Sequence, residues 1–198
     1  QSAIRERGQF VLAVSGGSIP PLLSGLVDRT QCDSEINIDK WKFLFADERC
    51  VPLDDTDSNF KLWKESIFDH IPQIDVTQSV LTVLHPENPS ACASDYSSRL
   101  SSFLSLDRKI SIYDTIIDFC ILGMGPDGHT ASLFPNHPLV TAQDDRVISS
   151  LTDSPKPPSA RITFSLQAIN NAREVLFIVT GAGKAPVIES IFQVEAAE

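Results

Sequence analysis

The sequence predicts an α/β fold with a doubly wound, mostly parallel sheet and helices on both faces. Apolar, strand-like runs alternate with helix-like stretches along the chain, which is typical of a parallel sheet with crossover helices. Two of these runs, 43–46 and 175–179, are apolar almost throughout, as expected of strands covered on both faces. The composition, 42% hydrophobic and 21% charged over 198 residues, belongs to the ordinary globular class.

The strand-like runs lie at 9–15, 41–46, 79–83, 116–122 and 175–180, and each precedes a turn or loop that leads to a helix-like stretch. Apolar spacing predicts helices over 58–70 and 89–106. Residues 161–165 form one more predicted strand, after the Pro-rich loop 154–158. We find no repeat or linker and expect one domain over 1–198. The chain begins at Gln1 and ends in a helix-like stretch at Glu198, so we expect it to lack elements at both ends.

The charge balance restricts the ligands that this chain can bind. Twenty-six acidic residues against sixteen Lys and Arg give a net charge of -10, which argues against nucleic acid and anionic lipid as partners. A bound anion should therefore be small and locally enclosed. The four cysteines form no CxxC pair, which argues against a zinc site and favours a reducing compartment. No apolar run approaches the roughly 18 residues of a membrane helix, so we expect a cytoplasmic protein.

Seven of the nine glycines fall in three strand-to-helix turns, at 16–17, 123–128 and 181–183. Ligands of open parallel sheets bind at the carboxyl ends of the strands, where such turns lie. Glycine allows the backbone to approach a ligand and direct N–H groups at it, while a helix N-terminus favours negative charge. The pattern predicts a phosphate ligand.

The first and third turns each have a plainer interpretation. Residues 15–18, Ser-Gly-Gly-Ser, match neither a Walker motif nor GxGxxG, and could form only a tight turn with Ser18 as helix N-cap. Lys184 follows the third turn at a helix start, where an isolated lysine is usually solvated. The phosphate hypothesis therefore depends on all three Gly-rich turns lying at the same edge of the sheet, and not on either of these turns alone.

The middle turn, 121–135, carries Asp127 and His129 two residues apart after a buried strand. These side chains have the types needed for a general base and the group that orients it. A helix-capping Asp with a surface His is the alternative, but three glycines and two prolines make this turn costly without a function. The strand at 41–46 ends in Asp47-Glu48-Arg49, which either belong to the site or lie in a solvent-facing loop. Arg49 could bind an anion, and Asp47 could bind a sugar hydroxyl or orient Arg49.

Five sequence blocks occur in a characteristic order: SGGS, DERCVP, GMGPDGHTASLFP, SPKPP followed by RITFSL, and TGAGK. In this order and spacing they resemble the 6-phosphogluconolactonase family, which belongs to a wider family that also contains glucosamine-6-phosphate deaminase. The similarity runs from about residue 10 to residue 192. It implies a Rossmann-like fold and hydrolysis of a sugar phosphate lactone in the oxidative pentose phosphate pathway, without metal or organic cofactor.

The resemblance also implies roles for individual residues. His129 and Asp127 would be catalytic, together with Arg49, which faces the anionic substrate. The residues implied to bind substrate or its phosphate are Ser15, Gly16, Gly17, Ser18, Asp47, Gly128, Lys156, Arg161 and Lys184.

Two alternative functions are considered. A deaminase of the wider family needs an extra acid just past the catalytic His, and residues 131–135, Ala-Ser-Leu-Phe-Pro, contain no carboxylate. A catalytically silent paralogue that binds sugar phosphates would keep the fold, but it would not need every chemical residue of these motifs. A fusion or association with glucose-6-phosphate dehydrogenase is compatible with the ends of the chain.

Overall fold

The computed structural model describes residues 1–32, 36–142 and 145–195. Its strands are β1 (Phe10–Val14), β2 (Trp41–Phe45), β3 (Asp47–Arg49), β4 (Phe119–Leu122), β5 (Ile148–Leu151), β6 (Arg161–Phe164) and β7 (Glu174–Phe177). Its α-helices are α1 (Ser2–Arg7), α2 (Ile19–Leu22), α3 (Gly25–Cys32), α4 (Asn59–Ser66), α5 (Val76–Ser79), α6 (Pro89–Phe103), α7 (Pro138–Thr141), α8 (Leu166–Asn170) and α9 (Ala185–Glu195). Short 3₁₀ helices occupy Ile38–Lys40, Phe68–His70 and Ala182–Lys184.

The main sheet has the strand order β2-β1-β4-β7, and every neighbouring pair in it is parallel. Because the strands are parallel, the segments that follow β1, β4 and β7 all leave from the same edge of the sheet. The predicted α/β fold with a mostly parallel sheet and flanking helices is confirmed.

A second sheet, β3-β6-β5, is antiparallel. The Asp-Glu-Arg sequence of β3 has no apolar alternation, so periodicity did not identify it as a strand. Its pairing with β6 joins Arg49 to Arg161 and Asp47 to Thr163. This sheet therefore brings the charged segment after β2 next to the segment that follows the Pro-rich loop.

The core divides into two clusters because successive strand side chains point to opposite faces. Val11 and Ala13 of β1 belong to one cluster, which includes Tyr96 and Leu100 of α6. Leu12 and Val14 belong to the other, with Trp63 of α4. The apolar stripes of the two predicted long helices thus pack against the sheet.

Three predicted elements differ in the structure. Residues 79–83 contribute a single parallel bridge between Phe43 and Val80, because α5 continues to Ser79. The helix predicted over 58–70 is α4 followed by a 3₁₀ turn. The apolar run of β7 is not covered on both faces: Val175, Leu176 and Phe177 are 39%, 43% and 45% exposed, since β7 is an edge strand of the described sheet.

No helix among the described residues is long and apolar enough to span a membrane.

Candidate active site

The Ser15–Ser18 turn is fixed to the neighbouring strand and to α4. The Ser15 N–H donates to the carbonyl of Ile121, at 3.0 Å, and the Ser15 carbonyl accepts from Trp63 Nε1 at 2.9 Å. Ser18 is the N-cap residue of α2, and its side chain makes no capping hydrogen bond. The Ser15 hydroxyl is buried and has no protein partner, so it is available to a ligand.

Gly16 lies directly against the side chain of Asn59. A Cβ atom at position 16 would lie 1.8 Å from Asn59 Oδ1, so only glycine fits. Asn59 is 1% exposed, and its Nδ2 donates to the Asp47 carbonyl at 2.8 Å. This amide sets the distance between the Ser15–Ser18 turn and β3.

The turn after β4 folds back on itself to bring Asp127 and His129 together. The Gly125 N–H donates to the His129 carbonyl at 2.8 Å, and the Gly128 N–H donates to the Gly125 carbonyl at 3.0 Å. A Cβ atom at Gly125 would lie 2.1 Å from His129 Nδ1 and 2.4 Å from Asp127 Oδ1. Glycine at 125 is therefore required by the packing of the pair itself.

His129 and Asp127 form a short hydrogen bond, with 2.6 Å between His129 Nδ1 and Asp127 Oδ1. Partial burial would raise the pKa of Asp127, but hydrogen bonds from His129, its own backbone N–H and Lys156 bring this pKa to about 2. The ionised carboxylate can only accept a hydrogen bond, so the Nδ1 atom carries the proton. Nε2 is then the ring nitrogen that can accept a proton, and the ring rests on Phe134 at a centroid distance of 4.6 Å.

Lys156 reaches this pair from the Pro-rich loop. Its Nζ atom lies 3.2 Å from Asp127 Oδ1 and 3.4 Å from His129 Nδ1. The Lys156 side chain is not part of the lining of the cavity at the carboxyl edge of the main sheet.

Arg49 and Arg161 are opposite each other in the β3–β6 pair. Arg49 Nη1 donates to the Asp57 carbonyl at 2.7 Å, while its buried Nε has no protein partner. The Arg161 guanidinium donates to the carbonyls of Pro158, Lys156 and Pro157 at 2.9, 3.0 and 3.1 Å. Burial and the nearby charge of Arg49 lower the pKa of Arg161. Two facing guanidinium groups favour an anion between them.

Asp47 is held in place by Ser132, whose hydroxyl donates to Asp47 Oδ2 at 2.8 Å. Both residues are buried, at 4% and 0% exposure, and Arg161 Nη1 lies 4.0 Å from the same carboxylate oxygen. Asp47 therefore joins β3, the turn after His129 and β6.

Glu48 joins β3 to the first turn of α4. Its carboxylate accepts from the backbone N–H groups of Arg49, Asn59 and Phe60, each at 2.7 Å. Two of these donors belong to the free N-terminus of α4, which a carboxylate stabilises. Burial raises the pKa of Glu48 to about 7, although the three backbone donors oppose the shift. The sequence analysis named Glu48 only as one of three charged residues after β2, and it missed Asn59 and Ser132 as supports of the site. Their shared partner, Asp47, lies 12 and 85 residues away in sequence.

The Ser15–Ser18 turn, β3, the turn after β4, β6 and Lys184 surround a cavity of about 160 Å³ at the carboxyl edge of the main sheet. Nine of the twelve predicted site residues line it: Ser15, Gly16, Gly17, Ser18, Asp47, Arg49, His129, Arg161 and Lys184. Asp127, Gly128 and Lys156 do not, and the first and last of these contact His129 instead. The lining also includes Ile19, Gly123, Met124, Gly125 and Ala131. Three cations against one carboxylate make this cavity locally positive in an acidic protein.

A larger cavity, of about 540 Å³, lies near Arg7, Val11 and Asp118. The Asp118 carboxylate there is already occupied by Arg7 Nη2, Arg173 Nε and the Val11 N–H. The described residues that line this cavity include no histidine. Within the described ranges, no cluster of three or more His, Cys, Asp or Glu side chains could hold a metal ion.

Comparison with known proteins gives one consistent family. The family model described as glucosamine-6-phosphate isomerases/6-phosphogluconolactonase matches residues 1–198. A Homo sapiens protein named 6-phosphogluconolactonase is 35% identical over 94% of this chain and 70% of its own length. The crystal structure of 6-phosphogluconolactonase from Thermotoga maritima superposes with a TM-score of 0.77 at 27% identity, covering 97% of this chain and 79% of that chain. The corresponding structure from Leishmania guyanensis gives 0.74 at 28% identity, covering 95% and 77%.

Proposed function

The chain belongs to the glucosamine-6-phosphate isomerase/6-phosphogluconolactonase family, and we propose that it hydrolyses 6-phosphogluconolactone to 6-phosphogluconate. The observation that carries this proposal is the position of His129. Its Nδ1 is bound to an ionised Asp127, and its ring lines a small cavity with Arg49, Arg161 and Lys184. A base beside a cluster of cations suits an ester whose other end carries a phosphate.

In the proposed reaction His129 Nε2 takes a proton from water as the water oxygen attacks the lactone carbonyl carbon. A tetrahedral oxyanion forms, the bond from this carbon to the ring oxygen breaks, and the leaving oxygen takes the proton from the imidazolium. One water is consumed and the acid is released. Asp127 stabilises the imidazolium and keeps its orientation.

The oxyanion needs hydrogen-bond donors, and removal of one such donor from a hydrolase costs about 3 to 4 kcal/mol. Arg49 is our candidate, because its Nε lies buried without a protein partner beside the cavity. Ser15 to Ser18 and Lys184 would hold the phosphate, since they combine free hydroxyls, a Gly-rich backbone and a lysine. Arg161, bound to three carbonyls, would contribute mainly charge.

The deaminase alternative lacks support in this cavity. Asp47 is the one carboxylate among the described lining residues, and its Oδ2 already accepts from Ser132. The described lining therefore contains no second carboxylate that could serve as the extra acid.

The broader setting is proposed on the same basis. We place the enzyme in the cytoplasm, in the oxidative pentose phosphate pathway. Association or fusion with glucose-6-phosphate dehydrogenase is tested by measuring the intact mass of the native protein.

The test of this function compares 6-phosphogluconolactone with unphosphorylated gluconolactone. We expect a much lower kcat/KM for the second substrate, because the cations of the cavity then have no anion to bind. Lys184→Met should raise KM for the phosphorylated lactone with little change in kcat, since the phosphate is bound alike in ground and transition states. Lys40→Met, at the opposite edge of the sheet before β2, is the matched control. Values of kcat/KM that agree within about threefold, roughly 0.7 kcal/mol, would contradict the proposal.

A further inference from the structure

Lys156 contacts both members of the Asp127–His129 pair, and hydrogen bonds hold the backbone of its Pro-rich loop in place. The Lys156 N–H donates to Ser154 Oγ at 3.3 Å, and the Lys156 carbonyl accepts from Ser154 Oγ at 2.8 Å and from Arg161 Nη2 at 3.0 Å. Both backbone polar groups of the residue are thus satisfied locally. The lysine side chain is 39% exposed, with its Nζ at the pair.

The contact distances decide which atom the lysine binds. Asp127 Oδ1 is ionised, so His129 must direct its Nδ1–H at this oxygen across 2.6 Å. An Nδ1 atom that carries a proton cannot accept a second one from Lys156, although Nζ lies only 3.4 Å away. The ammonium therefore donates to Asp127 Oδ1, at 3.2 Å. The carboxylate oxygen receives both donors, and the lysine charge remains beside the ring.

Two opposite charges lie beside the His129 ring: Asp127 Oδ1 is 2.6 Å from Nδ1, and Lys156 Nζ is 3.4 Å from it. Removal of the lysine charge should therefore favour the charged form of the ring. Other charged groups reach the same cavity from β3, from β6 and from the turn before α9: Asp47, Arg49, Arg161 and Lys184. Lys156 differs from these groups because its Nζ lies 3.4 Å from the ring nitrogen Nδ1 of His129.

We propose that Lys156 is a positioning residue, whose ammonium fixes Asp127 as the acceptor for His129 Nδ1–H and so leaves Nε2 as the ring nitrogen that can take a proton. This inference rests on the proposed role of His129 as general base. It assigns Lys156 to the support of the base, in place of the contact with substrate or its phosphate that the family resemblance implied.

The first experiment measures the pH profile of kcat/KM for Lys156→Met and Lys156→Arg. A unit charge at this distance, screened as in water, is worth roughly one pH unit, so the acid limb of Lys156→Met should move upward by about that amount. Lys156→Arg retains the charge and should keep the limb within about 0.3 pH units of the original protein. Lys40→Met serves again as the lysine control. A lysine that only supports the fold would lower activity without moving the limb.

The second experiment follows the labelled His129 ring by NMR during a pH titration without substrate, with His129→Ala used to assign its signal. We expect the titration midpoint of Lys156→Met to rise together with the acid limb. A midpoint and limb that stay within about 0.2 pH units of the original protein would overturn the inference. A rise in KM confined to the phosphorylated lactone, with the limb unmoved, would also overturn it and identify Lys156 as a phosphate ligand.

The two proposals can fail separately. If the original protein hydrolyses neither lactone while the His129 midpoint still rises in Lys156→Met, the proposed function is wrong and the effect of the lysine on the ring is supported. If the lactone is hydrolysed and neither limb nor midpoint moves, the function stands and the inference about Lys156 is wrong.

Discussion

At the residue scale, the proposed chemistry depends on the different surroundings of Asp127 and His129. The Asp127 side chain is 40% exposed, whereas that of His129 is 17% exposed and rests on Phe134. Arg161 lies over the same Phe134 ring, with 5.7 Å from its Cζ to the centroid. The imidazole is therefore confined between its carboxylate and an aromatic face, which restricts the directions in which Nε2 can accept a proton.

His129→Ala is expected to lower kcat at least about 100-fold, the lower end of what a general base contributes. KM should change far less, because the imidazole is not proposed to bind the phosphate. The assay is lactone hydrolysis with the spontaneous rate subtracted, on protein shown to be folded by circular dichroism. His85→Asn, at a histidine whose side chain is 56% exposed, is the control and should leave kcat unchanged. A folded His129→Ala protein that keeps more than about a tenth of kcat would not fit a general base at this position.

At the element scale, the site depends on the junction of β3 with α4. Glu48 binds the first backbone N–H groups of the helix, and Ser58 caps it by accepting from the Lys61 N–H at 3.2 Å. Asn59, the first residue of α4, contacts Gly16 with its side chain. The buried N-terminus of α4 therefore fixes the distance between the Ser15–Ser18 turn and β3.

Gly16→Ala is expected to displace the Ser15–Ser18 turn, since its Cβ would overlap Asn59 Oδ1. We expect KM for the phosphorylated lactone to rise about tenfold or more and the free energy of unfolding to fall by about 1 to 3 kcal/mol. Thermal denaturation and steady-state kinetics provide the two measurements.

Gly25→Ala is the matched control for this prediction, because a Cβ there meets nothing within 4 Å and the residue opens α3. Adding Asn59→Ala to Gly16→Ala should recover part of the lost stability, a non-additive result that identifies the contact. If Gly16→Ala behaved like Gly25→Ala, the proposed packing of the turn would be wrong.

At the scale of the whole molecule, one sheet edge collects segments that are far apart in the chain. The order β2-β1-β4-β7 places the turns after β1 and β4 side by side, and the segment after β7 contributes Lys184. We propose that the chain forms one domain, with its two core clusters packed on opposite faces of this sheet. The net charge of -10 should repel anions in general, so affinity must come from the cavity.

Activity is expected to survive dialysis against a strong chelator, because the proposed water activation by His129 needs no Lewis acid. The described ranges also offer no cluster of ligands of the kind that binds a catalytic metal. The measurement is kcat/KM before and after dialysis, with residual metal determined in the same sample and a zinc hydrolase treated in parallel. Loss of activity that is restored by a divalent cation would revive a metal-assisted mechanism.

The sequence predicted the α/β class, the main parallel strands and the sheet edge at which the candidate site lies. These features depend on local rules: apolar runs form buried strands, glycines allow tight turns, and the carboxyl ends of parallel strands share one edge. The family resemblance, which the comparisons confirm, rested on the same local strings. The antiparallel sheet was missed because the polar sequence of β3 has no strand periodicity.

Only the tertiary structure decided which site residues line the cavity and which support it. Lys156 lies 27 residues from His129 in sequence, and Ser132 lies 85 residues from Asp47, so no spacing rule relates them. Arg161 carries the expected charge, but its donors are directed at loop carbonyls, which no pattern of residue types reveals. The sequence thus determined which chemical groups are present and that they lie at one edge of the main sheet, because both follow from local turns and strand order. The partners of each group were decided by the packing of β3, β6 and the Pro-rich loop, since a hydrogen bond depends on where its donor and acceptor lie in space.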